Sequence, residues 1–598
     1  MNALILFAAA AGSTALEPVI VTATRREELA DRVLASVEIL RGDDLLRLPA
    51  AELSDALRFQ PGIEPVRLGA PGQQTSIFVR GTESNHVLVL VDGLRINPGT
   101  IGTAAIQNFA PEFVERVEVV KGPRSALYGS DAIGGVINVI TRGAGDSGSA
   151  SLGFGSFDTK TASFGAGTGD DHTGAMLAGS WIDSAGFPTQ AGDGTDRGYH
   201  NLSFTASGHT AVGAADVGAR IWHAAGNTEY SSFGTQLDQD FRNSAFALYA
   251  AIAPNTMWRS RVTAGYALDE IDQNQLGAFD FNGIKDFAHT RRWSLDWQND
   301  LAISESFALT AGVLWQDEDA DSESFDLSYA ADTTTTQTYL QSESTFGRQR
   351  LLLAAAYLEH EVFGGHATWN AAYGIEAGEG ALVTLAAGTG FRAPDATDLY
   401  GFGANPGLDP EESRSYEISW RQALGERQSV TLAAFRNDID DLIDFVIISF
   451  VPFQGENRNI DKVRIEGVEA SWQYVADDWS AHVSATLQDP RDRTTDERLL
   501  RRARENYTAA VVKRFGGHEV ALDVLYAGER RDNDAIDFDG RVQLEAYWLA
   551  GLSGKIALGE HFSVFARIEN LFDEDYQLAH TYNTVERSYY GAIRYEFR

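Results

Sequence analysis

The sequence predicts an all-β transmembrane barrel of about 22 antiparallel strands, preceded by a small N-terminal mixed α/β domain. Two observations carry most of this prediction. From about residue 148 to residue 598, apolar and polar residues alternate with a period of two, interrupted by clusters of Gly, Asp and Asn. No segment after the N-terminus reaches the ~18 consecutive apolar residues that a membrane-spanning helix needs. If the chain lies in a membrane, it must therefore cross it as strands.

The alternation is clear near the C-terminus. One face of a predicted strand in segment 519–528 carries Val520, Leu522, Val524 and Tyr526. One face of the last strand carries Tyr589, Ile593, Tyr595 and Phe597. A soluble β-sandwich shows the same alternation, but at this length it needs several domains, and no linker is visible here. A closed barrel leaves no unpaired edge in lipid, and at about 20 residues per strand, residues 148–598 accommodate about 22 strands.

The segment 26–142 differs in kind and is predicted to be a separate mixed α/β domain. Within it, residues 52–63 place Leu53, Ala56 and Leu57 on one helical face, and Pro61 ends the helix. The strands that follow are short and rich in Gly. The segment 143–150 is polar and small and is the predicted boundary before the barrel at 148–598.

The first 15 residues are predicted to be a signal peptide. An apolar stretch runs from Ala3 to Ala11, and Ser13, Thr14 and Ala15 fit a cleavage site of small residues. The alternative is a buried N-terminal helix, because Lys and Arg are missing from the first residues. Export is the favoured interpretation.

Composition excludes some classes of function. The 48 basic and 84 acidic residues give a net charge of −36, which argues against nucleic acid as a partner. The chain has no Cys and lacks the HExxH, GxSxG and GxxxxGK motifs, and its 12 His are scattered. We therefore expect no enzymatic activity and no required cofactor.

Three motifs in order carry a resemblance to a known family. They are EPVIVTATR at 17–25, SIFVRGTESNHVLVLVDGLRIN at 76–97 and KGPRSALYGSDAIGGVINVIT at 121–141. Together they resemble the N-terminal part of TonB-dependent outer-membrane transporters. The resemblance implies that segment 26–142 is a plug domain in the barrel lumen, and that the protein lies in the outer membrane of a Gram-negative bacterium.

The resemblance also identifies segment 16–25 as a TonB box segment. The box itself comprises Glu17, Pro18, Val19, Ile20, Val21, Thr22, Ala23 and Thr24. An extended segment of this kind can add as a strand to the sheet of a partner, here TonB with its inner-membrane energising complex. The alternative is an ordinary N-terminal strand.

Four charged residues are predicted to hold the plug in the barrel. Arg80 and Lys121 end plug strands, and cations buried in a lumen require partners. Glu417 and Glu469 lie at positions that resemble the barrel carboxylates pairing with plug cations in this family. Lys121 replaces the usual Arg, which keeps the charge but loses bidentate geometry. These four residues are the predicted plug latch.

The barrel segments 391–413, 436–445, 499–505 and 567–576 are most similar to the cobalamin-receptor branch of the family. Carried over by position, the implied ligand-binding residues are Gln74, Thr75, Ser76, Glu83, Ile101 and Gly102 in the plug, with Arg501 and Arg502 in the barrel. Gln74 stands where the branch has Leu, and Glu83 where it has Asn. The alternative is that these are loop residues without a ligand contact.

The same branch binds calcium on two extracellular loops. The candidate ligands here are Gln190, Asp193, Asp196, Tyr230, Asp238 and Asp240, all with hard oxygen donors. Ser231 replaces an expected Asp, so fewer carboxylates are present. The alternative is a pair of solvated acidic loops.

These observations predict TonB-dependent active import of a scarce, large ligand, namely cobalamin or a related corrinoid. A ferric siderophore is the alternative ligand class. A haem ligand is disfavoured because no His lies between FRAP and NPGL. A passive porin or an adhesin is a remote alternative, since neither has a use for a plug and a TonB box.

Overall fold

The computed structural model describes residues 20–21, 25–26, 28–30, 32–48, 52–145, 147–170, 172–232, 235–274, 285–324, 327–450, 453–534 and 540–597. The predicted signal peptide lies outside these residues. No helix in these segments is long and apolar enough to cross a membrane.

The N-terminal domain is a small mixed sheet with short helices. Its strands are β1 (Ile20–Val21), β2 (Glu28–Leu29), β3 (Val37–Arg41), β4 (Ile63–Arg67), β5 (Thr75–Val79), β6 (Val87–Val91), β7 (Leu94–Arg95), β8 (Val114–Lys121) and β9 (Gly135–Thr141). Its α-helices are α1 (Gly42–Arg47), α2 (Leu53–Leu57) and α3 (Ser125–Tyr128), with 3-10 helices at Ser84–His86, Ile106–Asn108 and Pro111–Phe113. The main sheet has the order β3-β8-β9-β6-β7, and β4 and β5 form a separate hairpin.

The predicted helix in segment 52–63 forms, but only as α2. Leu53, Ala56 and Leu57 are buried as the helical spacing predicts. Burial of the whole of α2 in the apolar core fixes so short a helix, since isolated helices of this length are unstable.

The rest of the chain closes into a barrel. Its strands are β10 (Ser147–Gly155), β11 (Thr159–Gly169), β12 (Thr173–Phe187), β13 (Arg197–Val212), β14 (Ala215–Ser232), β15 (Thr235–Asn255), β16 (Trp258–Gln273), β17 (Phe287–Ser304), β18 (Phe307–Ser324), β19 (Leu327–Phe346), β20 (Gln349–His360), β21 (Gly364–Glu376), β22 (Ala381–Arg392), β23 (Glu411–Ala423), β24 (Gln428–Phe450), β25 (Phe453–Val475), β26 (Trp479–Asp492), β27 (Glu505–Phe515), β28 (His518–Ala527), β31 (Tyr547–Ala557), β32 (Phe562–Glu569) and β33 (Ser588–Phe597). A hairpin of β29 (Arg530–Asn533) and β30 (Arg541–Leu544) follows β28, and helix α4 (Ala396–Tyr400) follows β22.

The barrel has 22 strands, and the predicted fold class is confirmed. Antiparallel pairing of β10 with β33 closes the sheet, with Gly148 opposite Phe597. The alternation of the strands is also as predicted: in β28, Val520 and Leu522 are 42% and 43% exposed, whereas Ala521 and Asp523 are buried. The apolar side chains therefore point outward, where a lipid-facing surface needs them.

The two rims of the barrel differ. Short turns, such as those joining β13 to β14 and β17 to β18, form one rim, which we call the short-turn rim. Longer connections, including the one with α4 and the one with the β29–β30 hairpin, form the other, which we call the loop rim. In bacterial outer-membrane barrels the short turns face the periplasm and the long loops face outward.

The plug domain fills the lumen and packs against one wall through apolar contacts. Phe109 stacks on Trp222 of β14 with ring centroids 5.0 Å apart, and Phe113 contacts Phe109 edge-on at 6.4 Å. Tyr199 and Ala224, from the inner faces of β13 and β14, belong to the same core cluster. The wall around β12–β15 is thus joined to the plug by a continuous hydrophobic core.

Candidate functional site

A cluster of charged side chains joins the plug to the wall around β23–β25. Arg80, which follows β5, donates from Nε to Glu469 Oε1 at 3.1 Å and from Nη2 to Glu469 Oε2 at 2.9 Å. Its Nη1 donates to Glu417 Oε2 at 2.5 Å. The guanidinium also lies over the Phe435 ring, 4.4 Å from the centroid. Arg80 is thus bound bidentately by one carboxylate and capped by a second.

Lys121 completes this cluster. Its Nζ lies 3.1 Å from Glu469 Oε2 and 3.0 Å from Glu38 Oε1. The Ser36 hydroxyl donates to Glu417 Oε1 at 2.7 Å. The structure therefore brings the four predicted latch residues together and adds Glu38 and Ser36. Neither addition had a sequence signal, because both belong to an unremarkable stretch around β3.

A second charged cluster lies nearer the loop rim. Arg392 is 1% exposed, and its Nη1 donates to Glu411 Oε2 at 2.9 Å. Its Nη2 lies 2.8 Å from Asp395 Oδ2 and 3.0 Å from Asp398 Oδ2, at the start of α4. The plug joins through His86, whose Nε2 is 2.9 Å from Glu411 Oε2. This second plug–barrel contact was missed from the sequence.

The tautomer of His86 follows from its two neighbours. The Glu83 backbone N–H donates to His86 Nδ1 at 3.3 Å, so Nδ1 accepts and Nε2 carries the proton. His86 Nε2 therefore donates to Glu411 Oε2. The barrel loop and the plug are joined here by a buried and satisfied network.

A pocket of about 720 Å³ opens between the plug and the loop rim; we call it the outer pocket. Charged side chains line it in pairs: Arg95 with Asp131, and Arg292 with Glu318. Tyr329 and Tyr400, with ring centroids 6.2 Å apart, form an aromatic part of the wall. A further wall is formed by His360 and Phe363, 5.2 Å apart. Such a mixture of aromatic surface and a few polar groups is typical of ligand pockets.

Of the predicted ligand-binding residues, Gly102 lines the outer pocket. Its φ is +68°, and an added Cβ would lie 3.0 Å from Asn85 Cβ and 3.3 Å from Asp395 Oδ2, so a larger residue would be strained here. Ile101 is half-buried beside it. The plug turn 98–102 also touches α4 directly, because the Ala396 and Thr397 amides donate to the carbonyls of Gly99 and Thr100.

The predicted residues around the β4–β5 hairpin lie outside the outer pocket. Gln74 is exposed, and Ser76 is half-buried. Thr75 is only 1% exposed, and its hydroxyl donates to the Gln73 carbonyl at 3.0 Å. The Thr75 side chain therefore forms its hydrogen bond within the β4–β5 hairpin.

The predicted barrel arginines are both paired. Arg502 Nη2 lies 2.5 Å from Glu83 Oε1, and its guanidinium lies 4.0 Å from the centroid of the Phe78 ring. Arg501 Nε lies 2.9 Å from Oδ1 of the buried Asp532, in the β29–β30 hairpin. The structure thus joins Glu83 to Arg502 by an ion pair, and Arg501 contacts Asp532 within the barrel loops.

Comparison with known proteins decides the family. Residues 144–571 match the family described as TonB dependent receptor-like, β-barrel, and residues 30–136 match the TonB-dependent receptor plug domain. The chain belongs to the TonB-dependent receptor family. It is thus a TonB-dependent outer-membrane transporter, of a family made up of transporters and receptors rather than enzymes.

Individual relatives differ in what they carry. The chain is 30% identical over 603 residues to the vitamin B12 transporter BtuB of Vibrio vulnificus (strain YJ016), covering 97% of this chain and 95% of that protein. In structure it is similar to the siderophore receptor PirA of Acinetobacter baumannii, with a TM-score of 0.79, 17% identity and coverage of 94% and 98% of the two chains. A variant of the ferric enterobactin receptor PfeA of Pseudomonas aeruginosa gives a TM-score of 0.81 at 17% identity, covering 94% and 99%. At these identities the structural likeness shows the fold alone.

The predicted calcium ligands of the receptor do not form one set. Asp193 Oδ2 accepts from Arg197 Nη2 at 2.6 Å and from the Ser231 hydroxyl. Asp196 is exposed, and Gln190 pairs through its backbone with Tyr582. The carboxylate of Asp193 is thus bound to a cation of its own loop.

The other predicted calcium ligands lie on β14 and β15. Asn227 Nδ2 donates to Asp238 Oδ2 at 2.9 Å and to Asp240 Oδ1 at 2.8 Å, and Asn274 Nδ2 contacts the same two carboxylates. Tyr230 is half-buried nearby. Over the described parts of the chain, no three His, Cys, Asp or Glu side chains are grouped to hold a metal ion. Calcium binding stays a prediction.

Two residues of the predicted TonB box are described. Ile20 and Val21 form β1, which pairs antiparallel with Leu29 and Glu28 of β2. The remaining box residues, Glu17, Pro18, Val19, Thr22, Ala23 and Thr24, lie outside the described residues. The box as a docking segment for TonB therefore stays a prediction.

Directly after the box, Arg25 is bound to the barrel wall. Its Nη1 donates to Asp296 Oδ2 at 2.7 Å and to the Tyr339 hydroxyl at 3.0 Å. The guanidinium also lies 4.9 Å from the centroid of the Tyr128 ring in α3 of the plug. One side chain thus connects the start of the plug to the barrel and to the motif at 121–141.

Proposed function

We propose that this receptor imports cobalamin or a related corrinoid across the outer membrane of a Gram-negative bacterium, energised through TonB. The observation that carries the ligand proposal is the 30% identity to a vitamin B12 transporter, which extends over 97% of the chain. Motif similarity in four barrel segments and in the plug supports it.

The charge of the outer pocket supports a ligand without strong negative charge. Its cations are already neutralised, since Arg95 contacts Asp131, Arg292 contacts Glu318, and Arg392 contacts Asp395. A ferric siderophore that carries net negative charge favours a pocket with free cations. A corrinoid rimmed with amides needs hydrogen-bonding groups and apolar surface, which the outer pocket offers.

The proposed cycle uses work from the inner membrane. Ligand binds at the plug apex and the barrel loops, and the TonB box segment 16–25 becomes available in the periplasm. TonB adds to this segment as a strand and pulls on it, so that the plug is displaced and a path through the lumen opens. Tight binding outside and release inside cannot both come from one equilibrium affinity, so external work is required.

A binding panel tests the ligand. Purified receptor is titrated with cyanocobalamin, with other corrinoids and with ferric catecholate and hydroxamate chelates, each with and without calcium. We expect tight corrinoid binding and no tight chelate binding. Tight binding of a ferric chelate, with cyanocobalamin failing to bind at micromolar concentration, would replace the ligand class and leave the transporter family unchanged.

Deletion of residues 17–25 tests the energised mechanism. Whole cells carrying the deletion should bind labelled ligand as the wild type does but should not accumulate it. Undiminished accumulation would indicate passive passage through the barrel, as in a porin.

A further inference from the structure

The strands that line the outer pocket differ in height. β18 and β19 have 18 and 20 residues, whereas the next two strands, β20 and β21, have 12 and 13. Thr335 of β19 lies opposite His360, the last residue of β20. Above this pair, in the described part of the barrel, residues 327–334 of β19 pair with β18 but with no strand on the other side, over about 26 Å. We call this segment the β19 edge.

The backbone groups that the β19 edge presents follow from Thr334. Its carbonyl accepts from the Glu361 amide at 3.1 Å, and its amide donates to Glu361 Oε2 at 2.9 Å, so both groups point away from β18. Alternate residues of an antiparallel strand point the same way, so the N–H and C=O groups of Ser328, Ala330 and Asp332 do so too. All three residues are exposed. Within the described chain these backbone groups have no hydrogen-bond partner.

The β19 edge forms a wall of the outer pocket. On β18 every second residue lines the pocket, namely Gln316, Glu318 and Ala320. On β19 six consecutive residues, 328–333, line it. Side chains alternate between the two faces of a strand, so a face contributes every second residue. The unbroken run on β19 therefore indicates that the strand edge itself borders the pocket.

The segment with α4 forms the opposite wall of this part of the pocket. Only the two short strands lie between β19 and β22, so the opening above their turn is about 14 Å wide at the usual strand spacing. Val362 and Phe363 of that turn line the pocket. The Tyr329 hydroxyl and Thr397 Oγ1 are 2.8 Å apart and connect the β19 edge to α4. The edge thus faces a slot that is bridged by side chains and not filled by a strand.

An open strand edge calls for an explanation. Exposed edges pair readily with other chains, so proteins usually cover them or protect them with Lys, Pro or bulges. The charged side chains of the pocket already pair with each other, Arg95 with Asp131 and Arg292 with Glu318. The β19 edge therefore adds neutral donors and acceptors to a pocket whose charges are compensated.

We propose that the β19 edge recognises carboxamide groups of the transported ligand through the backbone of Ser328, Ala330 and Asp332. The inference rests on the corrinoid transport proposed above and names the groups that read the ligand. The N–H and C=O of one extended residue point the same way, and a carboxamide has both an acceptor and a donor to meet them. Successive residues of this set are about 6.6 Å apart, so several carboxamides on the rim of one ligand can bind in series.

Other occupants suit the edge less well. A carboxylate or a catecholate is an acceptor only, so it can pair with the N–H groups but is repelled by the carbonyl oxygens between them. A polypeptide strand along the whole of 327–334 would have to displace α4 from its contact between Tyr329 and Thr397. Short amide groups can reach the edge from the outer pocket, whose volume is about 720 Å³, without moving α4.

Hydrogen–deuterium exchange tests whether the ligand covers the edge. Backbone exchange in peptides that contain residues 328–334 is followed by mass spectrometry in purified receptor, with and without saturating cyanocobalamin. We expect fast exchange of the edge amides without ligand and at least about tenfold slower exchange with it. The matched control is segment 317–323 of β18, which pairs with both β17 and β19 and should exchange slowly in both samples.

A proline substitution tests the same groups by affinity. Ala330→Pro removes one edge donor and leaves the pairing with β18 in place, because the Ala330 N–H points into the slot. We expect the affinity for cyanocobalamin to fall roughly three- to tenfold, the effect of one net hydrogen bond. Ala330→Val is the control, since it keeps the N–H group and Val suits a strand, and it should bind as wild type does. Circular dichroism checks that each variant is folded.

Cyanocobalamin that binds without slowing exchange at 328–334, or that binds wild type and folded Ala330→Pro equally, would overturn the role of the edge and leave the proposed ligand intact. An equal loss of affinity in Ala330→Val would also overturn it, because the N–H group is kept there. Slow exchange of the edge amides without ligand would show that a second copy or another polypeptide already covers them, with the same consequence. Failure of wild type to bind cyanocobalamin would remove the proposed ligand, and this inference with it.

Discussion

Replacing Arg80 by Ala is the sharpest test of how the plug is held. The substitution removes the two hydrogen bonds to Glu469, the contact with Glu417 at 2.5 Å, and the packing over Phe435. After it, Glu469 retains Lys121 at 3.1 Å, and Glu417 retains the Ser36 hydroxyl at 2.7 Å. The two carboxylates thus lose their shared cation but keep one partner each.

The free-energy cost of Arg80→Ala depends on how deeply the ion pairs are buried. A partly hydrated lumen would hold the cost below the ~3–5 kcal/mol of a fully buried broken ion pair. The structure instead shows side chains that are only 6%, 7% and 9% exposed for Arg80, Glu469 and Glu417. Because each carboxylate keeps a partner, we expect the lower end, about 3 kcal/mol. At about 1.4 kcal/mol per factor of ten, the undocked fraction of plug should rise roughly a hundredfold.

Permeability of whole cells is the assay. Cells with Arg80→Ala should become sensitive to a small hydrophilic antibiotic that wild-type cells resist. Arg142→Ala is the control, because Arg142 is also a plug arginine but forms only a surface pair, 3.6 Å from an Asp43 that is 91% exposed. Such pairs contribute about 0–1 kcal/mol, so this variant should stay tight.

Arg80→Lys should give an intermediate sensitivity, since Lys keeps the charge but not the bidentate geometry. The latch role is refuted if correctly inserted Arg80→Ala receptor is as impermeable as the Arg142→Ala control and binds ligand unchanged. Glu469→Gln supplies a second perturbation of the same cluster from the barrel side, and it should act in the same direction.

Three further predictions concern other parts of the receptor. Val21→Pro removes a backbone donor from the predicted TonB box, so uptake by whole cells should be lost while ligand binding persists. Burial raises the pKa of the plug residue Glu64 from 4.5 to about 7, so the folded plug binds a proton that the unfolded chain releases. The thermal stability of the plug, measured by calorimetry, should therefore fall as pH rises from about 4.5 to about 7. The variant Glu64→Gln should flatten this dependence on pH. Arg501→Ala combined with Arg502→Ala should weaken displacement of labelled corrinoid by cyanocobalamin, and unchanged displacement would remove both residues from the ligand site.

Much of the barrel could be predicted because apolar and polar residues have to alternate along a strand that faces lipid on one side and the lumen on the other. Val520 and Leu522 point outward, and Ala521 and Asp523 point inward, as period two requires. The number of strands can be predicted from length, since a strand and its connection average about 20 residues although single strands range from 8 residues in β32 to 23 in β24. Local pattern was sufficient here because the membrane imposes the same condition on every strand.

The site was less predictable, because its contacts depend on which inward residue meets which plug residue. Motif position identified Arg80 and Glu469, but the participation of Glu38 depends on the pairing of β3 with β8, which no local pattern reveals. The ligand role of Arg501 stays a prediction from its position, whereas its contact with Asp532 comes from a hairpin residue 31 positions further along the chain. Long-range register, rather than residue type, determined these outcomes.

A pull on the N-terminus would reach the contacts of Arg25 with the barrel wall first and the latch after them. The strand β3 follows the TonB box segment and its flank. Ser36, just before β3, and Glu38, within it, belong to the cluster of Arg80 and Lys121. The Lys121 amide additionally donates to the Ser36 carbonyl at 3.0 Å. Displacing β3 therefore withdraws partners from Glu417 and Lys121 before the rest of the plug has moved.

The contacts of the plug with the barrel should therefore open one after the other. Ion pairs weaken as soon as water reaches both partners, because the effective dielectric constant rises. The stacked contact of Phe109 with Trp222 resists through buried apolar area and lies on the far side of the plug from β3. A force applied through the N-terminal segment should thus loosen the cluster of Arg80 and Lys121 before the stacked contact of Phe109 with Trp222.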